Sequence, residues 1–445
     1  MLNRSHWPYN IGHANVGSGI KARAAERERC FGTTSASGRR PGRNNFRCAR
    51  RADRCGPFGT PGRADGGQRL GDLGAAVIKV EHPDGGDDTR GWGPAFANGT
   101  STYFLAANRN KYGVLLDLSR PEDRALAQEL ALRADVLVEN FRPGTMERFG
   151  LGYESLKPDN SALVYANISA SGSEGVGATL GGYDFLIPAL SGLMSVTGAP
   201  DGELTKAVIA VVDVLAGLHI QVGVLAALAA RGRTGVGQRV AVSLMGAALA
   251  RLVNQGTAWL SGGVDGRRMG NAHPGIVPCE SFLAADRTLV VAVGNDGQFQ
   301  HLCDVAGWAQ LAEDARFRTN GDRQAARTEL HQLLAEIFAH EPAASWVEKL
   351  ARVQVPCGLI NNVVKGFAYP EELGIRATVE LDGVDGQKIA QIANPIELSH
   401  TPVGYRLPPP RLGEHDGVVR RWLRGPNTDF GTRTNPGRIE RHTPC

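Results

Sequence analysis

The sequence predicts an α/β protein: a Rossmann-like, doubly wound parallel sheet joined to a smaller α/β domain. Three observations lead there. Short apolar runs of strand length alternate with helical segments from Ala76 onward. A Ser-x-x-Glu box with proline in the first turn opens a helix directly after one of those runs. A further strand followed by two amphipathic helices then returns in the second half, between Thr288 and Val353.

The elements follow in order. Ala76–Val80 reads as a short buried strand, and GVLLDL at Gly113–Leu118 as a second. Ser119, Pro121 and Glu122 form the capping box of a helix ending near Arg133. DVLVE at Asp135–Glu139 and ALVYAN at Ala162–Asn167 are the third and fourth strands. A helix spans Ala207–Ala230, and the basic, glycine-rich turn Arg231–Gln238 follows it. Gln238–Leu244 is a strand and Met245–Leu260 a helix, before Pro274–Pro278 breaks the pattern. Thr288–Val293 is a strand, and Thr328–Ala339 and Ala343–Val353 are helices. Beyond Pro356 the chain is loop-rich as far as Pro408–Pro410. The expected domains are an aperiodic tract (1–68), a large domain (69–235), a small domain (236–345), a return segment completing the large domain (346–424) and a frayed tail (425–445).

With 445 residues, 42% apolar and 21% charged, the chain has the composition of a globular protein with a large core. The apolar stretch Ala207–Ala230 is interrupted by Asp213, His219 and Gln221, so it reads as a core helix and no membrane partner is expected. The net charge of +4 hides an asymmetry. Residues 1–67 hold thirteen Arg and Lys against four acids, leaving the remainder of the chain at −5. The basic balance belongs to that tract, and no nucleic-acid partner is expected for the body. None of the seven cysteines forms a CxxC pair or lies near a histidine at ligand spacing. That pattern predicts a reducing, cytoplasmic setting with neither disulfide framework nor metal site.

From Met1 to about Gln68 the chain has no helix or strand period, and Leu2 is its only leucine. Four readings stand: a nucleic-acid-binding tail, a transit peptide, a disordered extension, or a start placed too early or in the wrong frame. All four share one expectation, that the tract has no packed structure.

Candidates for chemistry are few. Asp184 is the sole ionisable acid or base in Gly181–Gly198, GGYDFLIPALSGLMSVTG, apart from the phenol of Tyr183. A carboxylate against apolar surface is desolvated, which raises its pKa and its nucleophilicity. An aspartate capping a helix that starts at Phe185 fits the same residues. Gly172–Gly182 lacks the spacing of a phosphate-cradling loop, and Asp84, Asp87 and Asp88 lack the spacing of a metal loop. GGVDGRRMGNAHP at Gly262–Pro274 fits either a loop closing over a site or a solvated link.

Six ordered segments, LGDLGAAVIKVEHPDGGDDTRGWGP, ENFRPGTMERFGLGYESL, GGYDFLIPALSGLMSVTG, GRTGVGQRVAVSLM, GNAHPGIVP and VPCGLINNV, together resemble the class III CoA-transferases. That family includes formyl-CoA transferase, carnitine CoA-transferase and alpha-methylacyl-CoA racemase. The likeness runs from about Leu70 to Leu423 and is nearest to enzymes acting on dicarboxylates, such as succinyl-CoA:glutarate CoA-transferase. It implies that Asp184 is a nucleophile carrying first an acyl anhydride and then a CoA thioester. It implies a CoA cleft lined by Leu116, Asp117, Leu118 and Ser119, by Asn140, Phe141, Arg142 and Arg148, and by Ser169 and Ala170. It implies that a loop with Arg268, Gly270, Asn271 and His273 covers the acyl group. Acyl-CoA and a small carboxylic acid are the implied partners, with no cofactor beyond the CoA substrate, in an interlocked homodimer.

The chain departs from the family's pattern at its start. The strand and glycine-proline turn expected before LGDLGA are replaced by the aperiodic tract, and Cys55–Phe58 holds only a displaced likeness of the turn. His82 stands where formyl-CoA transferase commonly has arginine. An inactive remnant lacking its first strand is therefore one alternative. A racemase is another, although racemisation needs a second acid–base group and no histidine lies between His82 and Asp184.

Overall fold

The computed structural model describes residues 47–51, 61–180, 184–383, 386–425 and 430. All of these lie within one compact unit. In chain order the large sheet and its crossovers are β1 (Arg47–Arg51), α1 (Pro61–Asp72), β2 (Ala76–Glu81), β3 (Lys111–Leu115), α2 (Pro121–Arg133), β4 (Val136–Glu139), β5 (Val164–Ser169), α3 (Val211–Thr234) and β6 (Arg239–Ser243). The chain continues through α4 (Leu244–Leu249) and α5 (Val253–Gly262) into β7 (Cys279–Leu283), β8 (Thr288–Ala292), α6 (Asp296–Val305), α7 (Arg327–Phe338), α8 (Ala343–Arg352) and β9 (Cys357–Leu359). A hairpin of β10 (Thr378–Asp382) and β11 (Lys388–Ile392) and the helix α9 (Asp416–Arg424) follow.

The large sheet has the order β3-β2-β1-β4-β5-β6, and every pairing is parallel. This is the doubly wound arrangement. The order reverses beside β1, so the ligand crevice is expected at the carboxyl ends of the strands. Strand burial agrees with a sheet covered on both faces: every residue of β2, β4 and β5 is buried. One face packs Val77, Val136 and Ala166 against α3 and α4. The other packs Ile78, Val114 and Leu137 against α2 and α9.

The expectation that residues 1–68 carry no packed structure is corrected in two places. β1 holds the centre of the sheet, with Ala49 opposite both Ile78 and Leu137, and α1 begins at Pro61. The missing first strand of the remnant reading is thus present. A side-chain period is what the sequence lacks, but a central parallel strand is held by its backbone ladder, which any non-proline residue can join. Residues 1–46 and 52–60 lie outside the described residues.

Other boundaries shift for local reasons. The capping box does not form. Ser119 donates its hydroxyl to Asp117 Oδ1 at 2.7 Å, and Glu122 takes Arg120. Pro121 sets the helix start one residue later, and Asp123 accepts from Asp117 N–H at 2.9 Å in place of the box. The expected helix Met245–Leu260 is broken into α4 and α5, with Val253 in the left-handed region at φ 39°. The core helix appears as α3, turned against α1 and the sheet, with Asp213 and Gln221 buried. Gly235, at φ 74°, ends it and donates to Arg231 O at 2.8 Å. The expected tail from Gly425 lies mostly outside the described residues. Phe430 is buried against Tyr112 and Trp422.

β7, β8 and β9 form an antiparallel sheet of their own over a core that includes Phe282, Phe299, Phe338 and Trp346. The fully buried Arg323 ties this lobe together. It donates to Val277 O at 2.7 Å and to Asp296 Oδ1 at 2.7 Å, above the Phe299 ring. The C-terminal chain returns to the large sheet through buried polar contacts. Asp72 accepts from Arg109 at 2.7 Å, Asn110 at 2.7 Å and Asn394 at 3.0 Å.

Candidate active site

The loop leaving β5 carries Asp184 to the start of α3. A crossover helix begins on the edge where its preceding strand ends, so Asp184 and the carboxyl ends of the strands share one edge of the sheet. Asp184 does not cap the short helix after it. That helix, Leu186–Leu190, has Phe185 at its N-cap and no side-chain cap. Instead Asp184 Oδ1 accepts from the backbone N–H of Asp213, in the first turn of α3, at 3.4 Å. Ala210, the N-cap of α3, supplies no side-chain cap, so Asp184 meets N–H groups left open by the helix start.

Burial pushes the Asp184 carboxyl above its ordinary value, while the N–H groups of Asp213 and Val212 and the charge of Lys206 pull against that rise. The side chain itself is half-buried. Phe185, next to it in the chain, is 62% exposed, and Val208, just before α3, is 93% exposed. Gly181, Gly182 and Tyr183 lie outside the described residues.

The CoA-cleft residues implied by resemblance divide. Asn140, Phe141 and Arg142 follow β4 directly, Ser169 ends β5 and Ala170 follows it. Phe141, Arg142 and Ser169 line a cavity of about 190 Å³ together with Tyr165, Asn167 and Arg239. Asn140, Ala170 and the exposed Arg148, which donates to Thr145 Oγ1 at 3.3 Å, do not line it. Leu116 and Leu118 are buried in the core, with side chains turned from solvent. Asp117 and Ser119 bond to each other, and His82 Nε2 stands 3.6 Å from Asp117. Leu116, Asp117, Leu118 and Ser119 follow β3 but stay outside that cavity.

The implied acyl loop also divides. Arg268 lines a cavity of about 620 Å³ and is strapped to Ala199 O and Pro200 O, both at 3.0 Å. Gly270 turns the loop at φ 59°. Asn271 donates to Ser281 Oγ at 3.1 Å, and His273 accepts from Gly275 N–H at 3.0 Å, both outside the cavity lining. Asp184 lines neither cavity.

Sequence reasoning missed the opposite wall of the larger cavity: Glu280, Arg327 and His331. Arg327 and His331 stand at i, i+4 on α7, which begins at Arg327, one residue before the helix expected from Thr328. Among the described residues no three His, Cys, Asp or Glu side chains gather as a metal set.

Comparison with known proteins places this geometry. The sequence profile of CoA-transferase family III matches residues 64–416. The chain belongs to CoA-transferase family III. It is 40% identical over 359 residues to the succinate–glutarate CoA-transferase of Agrobacterium fabrum, covering 79% of this chain and 90% of that one. To the succinyl-CoA:glutarate CoA-transferase of Mus musculus it is 36% identical over 388 residues, 87% of each chain. The crystal structure of a CAIB/BAIF family protein from Brucella suis superposes with a TM-score of 0.74 at 38% identity, over 85% of this chain and 98% of that one. This class III CoA-transferase therefore carries its family's α/β fold, as the resemblance implied.

Proposed function

We propose that this CoA-transferase moves CoA from an acyl-CoA donor of the succinyl type to a small dicarboxylate, through covalent intermediates on Asp184. The carrying observation is the Asp184 carboxylate: partly desolvated, shifted upward by burial, and aimed at helix-start N–H groups. The relatives named for succinyl-CoA and glutarate support the substrate class.

In this reading Asp184 attacks the donor thioester carbonyl. The C–S bond breaks, CoA thiolate leaves, and a mixed anhydride remains. The thiolate attacks the Asp184 carbonyl of that anhydride and expels the donor acid, giving an aspartyl-CoA thioester. The acceptor carboxylate displaces CoA again, forming a second anhydride. Attack of the thiolate on the acceptor carbonyl releases the new acyl-CoA and restores the carboxylate. Each step exchanges one activated acyl bond for another, so no ATP enters. Phe141, Arg142 and Ser169, at the carboxyl ends of β4 and β5, hold CoA, and the loop with Arg268 shields the acyl group from water.

The apolar surface around Asp184 needs a cover, since an anhydride hydrolyses readily. We place a second copy of the chain there. Exposed Phe185 and Leu190, which follow Asp184, and Val208 and Ile209, which precede α3, support that homodimer. Its thiols Cys279, Cys303 and Cys357 suit the reducing cytoplasm.

The test is a donor panel of succinyl-, formyl-, malyl- and carnitinyl-CoA, each with glutarate. Transfer fastest from succinyl-CoA supports the reading, and no transfer from any donor overturns it.

A further inference from the structure

Two buried polar atoms in the smaller lobe have no partner among the described residues: Glu280 Oε1 and Arg327 Nη1. Both side chains line the cavity of about 620 Å³. Each is otherwise fixed. The Glu280 side chain is only 9% exposed, and its Oε2 lies 2.7 Å from His331 Nδ1. Because a carboxylate only accepts, that ring nitrogen carries the proton. Arg327 spends Nη2 on the carbonyls of His273 at 2.8 Å and Pro274 at 3.4 Å, leaving Nη1 unused. A buried donor or acceptor left unpaired is costly to the fold. Two in one cavity, of opposite type, define what would satisfy them: one ligand acceptor and one ligand donor.

Charge decides the acceptor. Arg267, Arg268 and Arg327 line the cavity with Glu280. No ion pair joins any of the three arginines to a carboxylate among the described residues. Three guanidinium groups facing one carboxylate favour an anion, and their planar forks suit a carboxylate. A ligand carboxylate on Arg327 Nη1 leaves Glu280 Oε1 to accept from a neutral donor on the same molecule, a hydroxyl.

We infer that this cavity is a binding site for a small hydroxy-carboxylic acid, its carboxylate held by Arg327 and Arg268 and its hydroxyl read by Glu280. Asp184 does not line this cavity, so the inference goes beyond the covalent chemistry; it shares only the Arg268 loop with the proposed acyl cover. Arg268 is pre-positioned by its bonds to the 199–200 turn, and His331 fixes the Glu280 carboxylate, so the site needs little rearrangement to bind.

The experiment is calorimetric titration of the full chain, without CoA, using malate and succinate, which differ by one hydroxyl. Malate is expected to bind at least about tenfold more tightly than succinate, since an unmet buried acceptor penalises the acid that lacks the donor. Arg327→Met is expected to remove binding of both acids, and Glu280→Gln to shrink the preference for malate. Arg268→Met gives a second reading should Arg327→Met not fold. Equal binding of the two acids, no binding of either, or malate affinity unchanged in a folded arginine variant overturns the inference. Because no CoA is present, failure of Asp184 to become acylated leaves this result intact, and the reverse also holds.

Discussion

The Asp184 carboxylate takes a hydrogen bond from the backbone N–H of Asp213 at 3.4 Å, so a loop acid meets the first turn of a 24-residue helix that it does not belong to. That contact, with the N–H of Val212, pulls against the desolvation of the carboxylate. Replacing Asp184 with Asn keeps the shape and removes the proposed nucleophile. Transfer is expected to fall at least about a thousandfold while CoA binding persists. A steady-state transfer assay beside a CoA titration measures both.

Burial raises the Asp184 carboxyl above the usual aspartate range. In the proposed mechanism only the ionised form attacks. The turnover rate is therefore expected to fall as pH drops, with its midpoint above the ordinary aspartate value. The sign for stability is opposite to that of an ion-paired acid: ionising a carboxyl whose folded pKa is raised costs stability once pH exceeds its unfolded value. Asp184→Asn is thus expected to melt higher than the parent at neutral pH. A pH–rate profile with its acid limb at or below the ordinary value contradicts this.

Lys79 and Asp87 form a buried pair at 2.6 Å, next to Glu81 and Arg90 at 2.8 Å. Burial opposes ionisation of Asp87 and Glu81. The Lys79 charge, with Thr89 bonding Asp87 and Arg90 bonding Glu81, outweighs it, and both carboxyls sit below their ordinary values. Depressed carboxyls stabilise the fold above their unfolded pKa, and that contribution is lost as pH falls through the folded one. Asp87→Asn strands the Lys79 ammonium and is expected to cost about 3–5 kcal/mol at pH 7, with a flatter acid limb of stability. Urea unfolding at several pH values reads both effects.

Asp72 gathers Arg109, Asn110 and Asn394, and Asn110 Oδ1 in turn accepts from Arg406 N–H at 2.7 Å. These bonds hold the C-terminal return chain against α1 and β3. Asp72→Ala leaves a buried guanidinium without its acceptor, with an expected loss of about 3–5 kcal/mol. Proteolysis of the variant is expected to start in the segment around Asn394–Arg406.

Much of this fold was legible in the chain. Buried strands such as Ala76–Glu81 announced themselves as apolar runs because both faces of the sheet are covered. β1 was not legible, since RCARR has no apolar pattern and its place is set by pairing with β2 and β4. The start of α2 was misread by one residue because Pro121 takes the first helical position and puts the N-cap at Arg120 rather than Ser119. Asp184 stood out as a lone acid in an apolar stretch, but its partner Asp213 lies 29 residues on, and no local rule joins them. Glu280 and Arg327 were missed because their unmet atoms are visible only once the cavity is closed.

The most direct measurement is mass spectrometry of the protein after incubation with succinyl-CoA and hydroxylamine. The account predicts a hydroxamate on the peptide that contains Asp184, and none in Asp184→Asn. An unmodified Asp184 in folded protein that binds CoA and turns over substrate would contradict it.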